Sequence, residues 1–326
     1  MDDLFRPATE SEIEAMRKQL RKALKEGAIG LSSGLAYDTA YEAPKEEVMK
    51  LVEEVANEGG VYTTHMRSEF EPILDAINEA FDTAGKSDVP LVISHLKCAG
   101  VANWGRSEEV LELLNERSKT AKFACDCYPY SASSSNLDLE QVTDLSDILI
   151  TWSEEHPEQS NRLLADIAQE WNLSLMDTAQ KLMPAGAVYY CMSEGDVQKF
   201  LQYERTMIGS DGLPNDPHPH PRLWGAFPRF LGYYCRDLNL FERPEAIHKM
   251  TGKSAQEFGL KDRGVIADGY YADLVLFDFD RVRDKATYQT PQQPAEGIEK
   301  VWVNGVLSYQ NGTGVTGRAG RFLKKS

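Results

Sequence analysis

The chain has 326 residues, of which 42 % are apolar and 10 % aromatic, enough to bury a sizeable core in one large α/β domain or two smaller ones. Asp and Glu number 51 against 35 Lys and Arg, a net charge of -16, and so negative a chain repels phosphate backbones, which argues against nucleic acid as a partner. No stretch reaches the roughly 18 apolar residues that cross a bilayer. The acidic start Met1-Asp2-Asp3-Leu4-Phe5 lacks a signal-peptide pattern and the five cysteines lack framework spacing, so no membrane partner and a cytoplasmic location with reduced thiols are expected.

Residues 9–26 read as a helix. Thr9 and Glu12 form a capping box, Ile13, Met16, Leu20 and Leu24 recur at helical spacing, and Gly27 stops the run. The small residues from Ala28 to Gly34 read as a buried strand ending in a loop. The alternation then repeats, with helices at 45–58, 71–83 and 107–118 and strands at 60–67, 90–97 and 122–128. Strands separated by helices of about 10–15 residues predict right-handed βαβ units and a parallel sheet. Residues 140–206 break the rhythm, are too long for an ordinary βα loop, and read as an inserted helical subdomain with helices at 161–171 and 196–204. Thr206 to Asp211 is a further short strand ending in an acid, followed by a Pro- and His-rich loop over 212–225 and helices at 226–237 and 243–258. The tail, 264–326, is β-rich, with strands at 272–278 and 300–306 and a hairpin turn at Asn304-Gly305. Two or three strands rarely stand alone, so something else must complete this unit.

Three strand ends carry chemistry: His65-Met66-Arg67, His95-Leu96-Lys97 and Ser210-Asp211-Gly212. Residues two apart on a strand share a face, so each histidine is expected to point with the cation that follows it. Two imidazoles and a carboxylate suit zinc, and two cations just outside suit an anionic substrate group, which Arg clamps in bidentate fashion and Lys meets as a point charge. Singly, a strand histidine is ordinarily a hydrogen-bonded rim residue and a strand-end Asp a helix cap. The doubling of H-x-[RK] on neighbouring strands, together with the Asp, tips the reading to a site. Tyr37, Tyr128, Ser134 and Arg222 follow strand ends or lie in loops, and packing explains them equally well when each is taken alone. His218 and His220, between prolines, read as a stiff loop rather than as ligands.

The runs Gly27 to Tyr37, Tyr62-Thr63-Thr64-His65-Met66-Arg67-Ser68-Glu69, Ile93-Ser94-His95-Leu96-Lys97, Asp126-Cys127-Tyr128-Pro129-Tyr130, Gly209-Ser210-Asp211-Gly212 and Pro219-His220-Pro221-Arg222-Leu223-Trp224-Gly225 resemble the D-aminoacylases, zinc-dependent N-acyl-D-amino-acid deacylases of the amidohydrolase superfamily. The tail is similar to the closing segment of amidohydrolases generally. The resemblance implies an incomplete (β/α)8 barrel, strands four to eight, over residues 1–263, with the helical insert at about 140–206 and part of a small β-sandwich over 264–326. It implies zinc on His65 and His95, Asp211 as the catalytic acid/base, and Tyr37, Arg67, Lys97, Tyr128, Ser134 and Arg222 around the substrate. The implied reaction hydrolyses a small-molecule N-acyl-D-amino acid to a D-amino acid and a carboxylate.

Two features depart from that pattern. Family members carry an H-x-H on the first barrel strand and a cysteine ligand before the region present here, and this chain has neither in the right context. The expectation is therefore an N-terminally truncated deacylase, impaired in zinc binding and turnover. The alternatives are a non-catalytic remnant or a subunit that needs a complementing N-terminal chain, and a related amidohydrolase acting on another amide or dipeptide.

Overall fold

The structure, a computed structural model, describes residues 1–315 and 318–325. It opens with α1 (Glu10–Glu26), whose capping box forms as the sequence predicts: Thr9 N–H donates to Glu12 Oε2 at 2.8 Å and Glu12 N–H to Thr9 Oγ1 at 3.3 Å. Four strands then alternate with helices: β1 (Gly30–Gly34), the single turn α2 (Asp38–Tyr41), α3 (Lys45–Asn57), β2 (Val61–His65), α4 (Ile73–Gly85), β3 (Leu91–Ile93), α5 (Ser107–Arg117) and β4 (Phe123–Cys127).

The segment that follows corrects one expectation. It is not a helical insert. Strands β5 (Ser133–Asn136), β6 (Ile148–Ser153), β7 (Arg162–Leu163) and β8 (Ala185–Tyr189) form an antiparallel sheet in the order β5-β8-β6-β7, with α6 (Leu164–Trp171) and α7 (Leu175–Leu182) between β7 and β8. The physical reason is length: the apolar run Ile148-Leu149-Ile150-Thr151-Trp152 is β-branched or aromatic in most positions and too short for a helix. The helix expected at 196–204 is α8 (Glu194–Gln202), which packs on α5 and restores the βα alternation before β9 (Thr206–Ile208).

Strands β1, β2, β3, β4 and β9 form one parallel sheet in that order. The covering helices also neighbour one another in sequence order, α1 on α3, α3 on α4, α4 on α5 and α5 on α8, as a singly wound sheet with one outer layer of helices requires. Strand alternation sorts the side chains. Tyr62, Leu91, Ile93, Phe123, Cys125 and Ile208 face the helices and are buried in the main core with Val52, Val55, Ile77 and Leu114. On the opposite face Val61, Val92, Ala124 and Met207 make a small separate cluster against Phe258. One layer further along the same face the residues turn polar, and there the cavity lies.

After β9 come α9 (Arg222–Arg229), a π-helical segment (Phe230–Asp237), α10 (Arg243–Met250) and α11 (Gly252–Glu257). A second antiparallel sheet, β10 (Leu274–Phe277), β11 (Ile298–Val303), β12 (Val306–Gln310) and β13 (Thr313–Gly314), pairs in chain order. Asn304 and Gly305 both take positive φ, +50° and +81°, the geometry of the two-residue hairpin their sequence predicts. Leu274, Val275 and Leu276 of β10 are exposed. The expected domain span 264–326 includes Thr316, Gly317 and Ser326, which lie outside the described residues.

Candidate active site

At the carboxyl ends of the parallel strands a cavity of about 440 Å³ is lined by Ser32, Ser33, Gly34, Tyr37, His65, Ser94, His95, Asp126 and Asp211. Ser32 and Gly34 of β1, Thr63 and His65 of β2, and Ala124 and Asp126 of β4 are two apart, so the same alternation that builds the small apolar cluster aims the polar side chains into the space above it. A second cleft of about 380 Å³, beside the start of β1 and under Phe258 and Phe322, has no titratable lining residue.

His65, His95 and Asp211 all line this one cavity. The two imidazoles meet edge to face with ring centres 4.4 Å apart, and the Tyr37 ring centre lies 5.0 Å from that of His65. Burial lowers the His65 pKa to about 4, so its ring is neutral and free to ligate at neutral pH. Glu69, in the loop after β2, completes the cluster: one donor atom from each of His65, Glu69 and His95 lies within 4.8 Å of the others. Burial alone would raise the Glu69 carboxyl, but the Lys97 ammonium and His95 outweigh it and hold the group well below the carboxylate range. Two imidazoles and a carboxylate match the N and O ligands zinc takes, so the donor set fits that metal.

His95 and Asp211 are held in left-handed backbone, at φ +40° and +46°. Such conformations persist only where neighbours enforce them. At His95 the enforcing group is Asp126, whose Oδ1 accepts the His95 N–H at 2.9 Å and whose carbonyl accepts the Leu96 N–H at 2.8 Å. A Cβ on Gly209 would sit 2.9 Å from that same Oδ1, so a residue without a side chain lets the buried carboxylate reach across. Burial raises the Asp126 pKa.

The residues expected around a substrate divide into two groups. Tyr37 lines the cavity. Arg222 is 2 % exposed, its guanidinium is 4.4 Å above the Tyr128 ring, and its Nη1 lies 2.8 Å from Asp211 Oδ2. That approach is an ion pair by distance without hydrogen-bond alignment, so Arg222 Nε and Nη1 remain buried donors without an acceptor, as does the Tyr128 hydroxyl. Arg222 thus pairs with Asp211 and stacks on the Tyr128 ring, and these buried donors keep unmet hydrogen-bonding capacity. Arg67, Lys97 and Ser134 are placed otherwise. Strand β2 ends at His65, so alternation does not carry on to Arg67, whose donors go to both Glu79 oxygens (2.9 and 2.7 Å) and to the carbonyls of Tyr41 and Ala43. Lys97 lies beyond the end of β3 and the kink at His95; its ammonium meets Glu69 Oε1 at 2.5 Å. Ser134 lies on β5, opposite Val188, and, like Tyr128 and Arg222, is not among the residues that line the cavity. His218 and His220 serve the loop, donating to the carbonyls of Tyr288 and Ala132.

Sequence reasoning passed over Glu69 and Asp126. A signal existed for Asp126, an acid in the middle of the strand Phe123-Ala124-Cys125-Asp126-Cys127, flanked by buried cysteines. Glu69 offered only a spacing of four after His65, which has no geometric meaning in a loop.

Imidazoles and carboxylates gathered at the mouth of a parallel α/β sheet define a site of the metal-assisted hydrolase type. The amidohydrolase family model matches residues 203–309. The D-aminoacylase of Alcaligenes xylosoxydans xylosoxydans is 45 % identical over 326 residues, covering 100 % of this chain and 67 % of that protein. A crystal structure of D-aminoacylase superposes with a TM-score of 0.96 at 47 % identity, over 99 % of this chain and 68 % of that one. N-acyl-D-glutamate deacylase from Bordetella bronchiseptica, solved with zinc and a phosphonate mimic of the tetrahedral intermediate, superposes with a TM-score of 0.95 at 39 % identity, over 99 % and 68 % of the two chains. The chain therefore belongs to the amidohydrolase family, in the branch of the D-aminoacylases, and spans about two thirds of the length of the relatives it matches.

Proposed function

We propose that this cavity hydrolyses the amide bond of N-acyl-D-amino acids, giving a D-amino acid and a carboxylate. His65 and His95 hold zinc, which when bound supplies Lewis acidity to the site. Asp211 takes the proton of the attacking water and returns it to the leaving amine nitrogen, so the carboxylate ends the cycle as it began. Arg222 and Tyr128 receive the substrate carboxylate, and Tyr37 steadies it. Fixing that carboxylate while the carbonyl faces the histidines leaves one side of the α-carbon for the side chain, and this selects the D series. The observation that carries the reading is the convergence of the two imidazoles and Asp211 on one cavity, with the unmet Arg222 donors against Asp211. The experiment is amine release from N-acetyl-D- and N-acetyl-L-amino acids in the presence of zinc. Release confined to the D series is expected, and preference for the L series overturns the assignment.

A second reading concerns completeness. Strands β1 and β9 each pair on one side only among the described residues. Five sequential parallel strands with one outer helix layer suit strands four to eight of a (β/α)8 barrel, and the exposed face of β10 suits one half of a sandwich. We propose that a complementing segment pairs with these edges, and that without it zinc is held weakly and turnover is slight. Calorimetric titration of this chain with zinc tests this: tight stoichiometric binding refutes it.

A further inference from the structure

The start of α9 has a capping problem. The first four N–H groups of a helix find no partner inside it, and Pro221, at the capping position of α9, has no side chain that accepts one. His220 answers for Arg222: its Nδ1 accepts the Arg222 N–H at 3.0 Å. Its other nitrogen, Nε2, donates to the Ala132 carbonyl at 3.0 Å. An amide N–H only donates and a carbonyl only accepts, so both contacts form together in one state alone, the neutral ring protonated on Nε2. The imidazole is 4 % exposed and stands edge-on to the rings of Tyr130 and Tyr288, each 5.2 Å away between centres, which hold its plane.

Ala132 follows Tyr128 on the chain beyond β4, and Arg222 opens α9. The imidazole therefore joins the segment that carries Tyr128 to the helix that carries Arg222. At the far end of α9 a second tie repeats the link, where Arg229 Nε donates to the Pro129 carbonyl at 2.8 Å. Between the two ties the Arg222 guanidinium rests 4.4 Å above the Tyr128 ring. We infer that His220 is a positioning residue: as a bridge from Ala132 to Arg222 it sets the place of the guanidinium over Tyr128, and through it the fit of the substrate carboxylate. This rests on Arg222 as the receiver of that carboxylate, part of the function proposed above, but the first readout below does not depend on substrate.

The first experiment is the ¹⁵N spectrum of the histidine-labelled chain at pH 7, with His220 assigned by the signals missing from His220→Asn. The Nε2–H tautomer is expected, and the Nδ1–H tautomer or a charged ring overturns the inference. The second is hydrolysis of N-acetyl-D-leucine with zinc present, read as KM and kcat separately, beside zinc affinity by competition with a chromophoric chelator. His220→Leu removes both contacts and should raise KM about tenfold, with kcat within about twofold and zinc affinity unchanged. His220→Asn sets an amide oxygen near the place of Nδ1, keeps an acceptor for the Arg222 N–H, and should return KM to within about threefold of the parent chain. A helix cap with no further role would lower the denaturation midpoint of His220→Leu and leave its KM alone, which overturns the inference. In an Arg222→Met background His220→Leu should add nothing; a further tenfold rise in KM there shows that His220 does not act through Arg222, and the inference fails. Should His220→Leu not fold, the tautomer of the parent chain decides. A parent chain with the Nε2–H tautomer that cleaves no N-acetyl-D-amino acid would sink the deacylase reading and leave the bridge to Arg222 standing.

Discussion

Replacing Arg67 by methionine separates the role the family resemblance implies from the one the contacts describe. The guanidinium makes a two-pronged pair with Glu79, at 2.9 and 2.7 Å, and donates to two carbonyls at the end of α2. Both side chains are about one-fifth exposed, 21 % and 18 %, so the pair belongs nearer the buried than the exposed case. Exposed pairs contribute about 0.2–1 kcal/mol, whereas breaking a buried pair costs about 3–5 kcal/mol because a charge is left stranded. Arg67→Met should therefore destabilise the chain by about 2–3 kcal/mol in urea unfolding at pH 7. Adding Glu79→Leu removes the stranded carboxylate and should restore roughly half of that loss. Affinity for an N-acetyl-D-amino acid should stay within about twofold in both variants. Unchanged stability with binding weakened more than tenfold would refute the argument and return Arg67 to the substrate.

The remaining expectations concern the site and the core. Arg222→Met should weaken substrate binding by about 10–100-fold, since a charge-assisted hydrogen bond contributes about 1.5–3 kcal/mol, and leave zinc affinity unchanged; Michaelis constants beside a metal titration check it. Asp211→Asn should lower turnover by about 100-fold or more, with zinc still bound. His220 is held well below its ordinary pKa of 6.5 by burial first and then by Arg222, with the hydrogen bond to the Ala132 carbonyl acting the other way. The unfolded chain thus takes up a proton below pH 6.5 that the folded chain refuses. Stability should be full above that pH and fall as the pH drops, by up to about 1.4 kcal/mol per pH unit, and His220→Gln should flatten the fall in denaturant midpoints. Ile77→Ala on α4, at a fully buried position, should cost about 2–5 kcal/mol by the same denaturation measurement.

The regular part of this fold was legible because each local signal agreed with its neighbours. Thr9 with Glu12 begins α1 and Gly27 ends it, and the alternation of helix and strand from Gly30 to Cys127 appears at its expected places. Legibility failed where a short apolar run admits two readings. Ile148 to Trp152 and Ala185 to Tyr189 are strands because they pair with each other, and a pairing across some 35 residues leaves no local periodicity to read. The exchange of an expected helical insert for a mixed one follows from that alone.

The site divides along a physical line that sequence spacing could not draw. Inside a strand, a spacing of two is a statement about direction, and it held for His65 with Thr63 and for Asp126 with Ala124. Beyond a strand's end it says nothing. Arg67 stands two residues past the end of β2 and turns to Glu79. Lys97 stands four past the end of β3, after a residue at φ +40°, and turns to Glu69. Both cations of the H-x-[RK] pattern pair in the structure with carboxylates that the pattern does not contain. Arg222, from a proline-rich loop with no periodicity at all, is paired as well, with Asp211 at 2.8 Å, yet keeps donors without hydrogen bonds. An ion pair inside the protein therefore does not by itself take a cation from the substrate; what favours that role for Arg222 is that, buried, it keeps hydrogen bonds the fold leaves open.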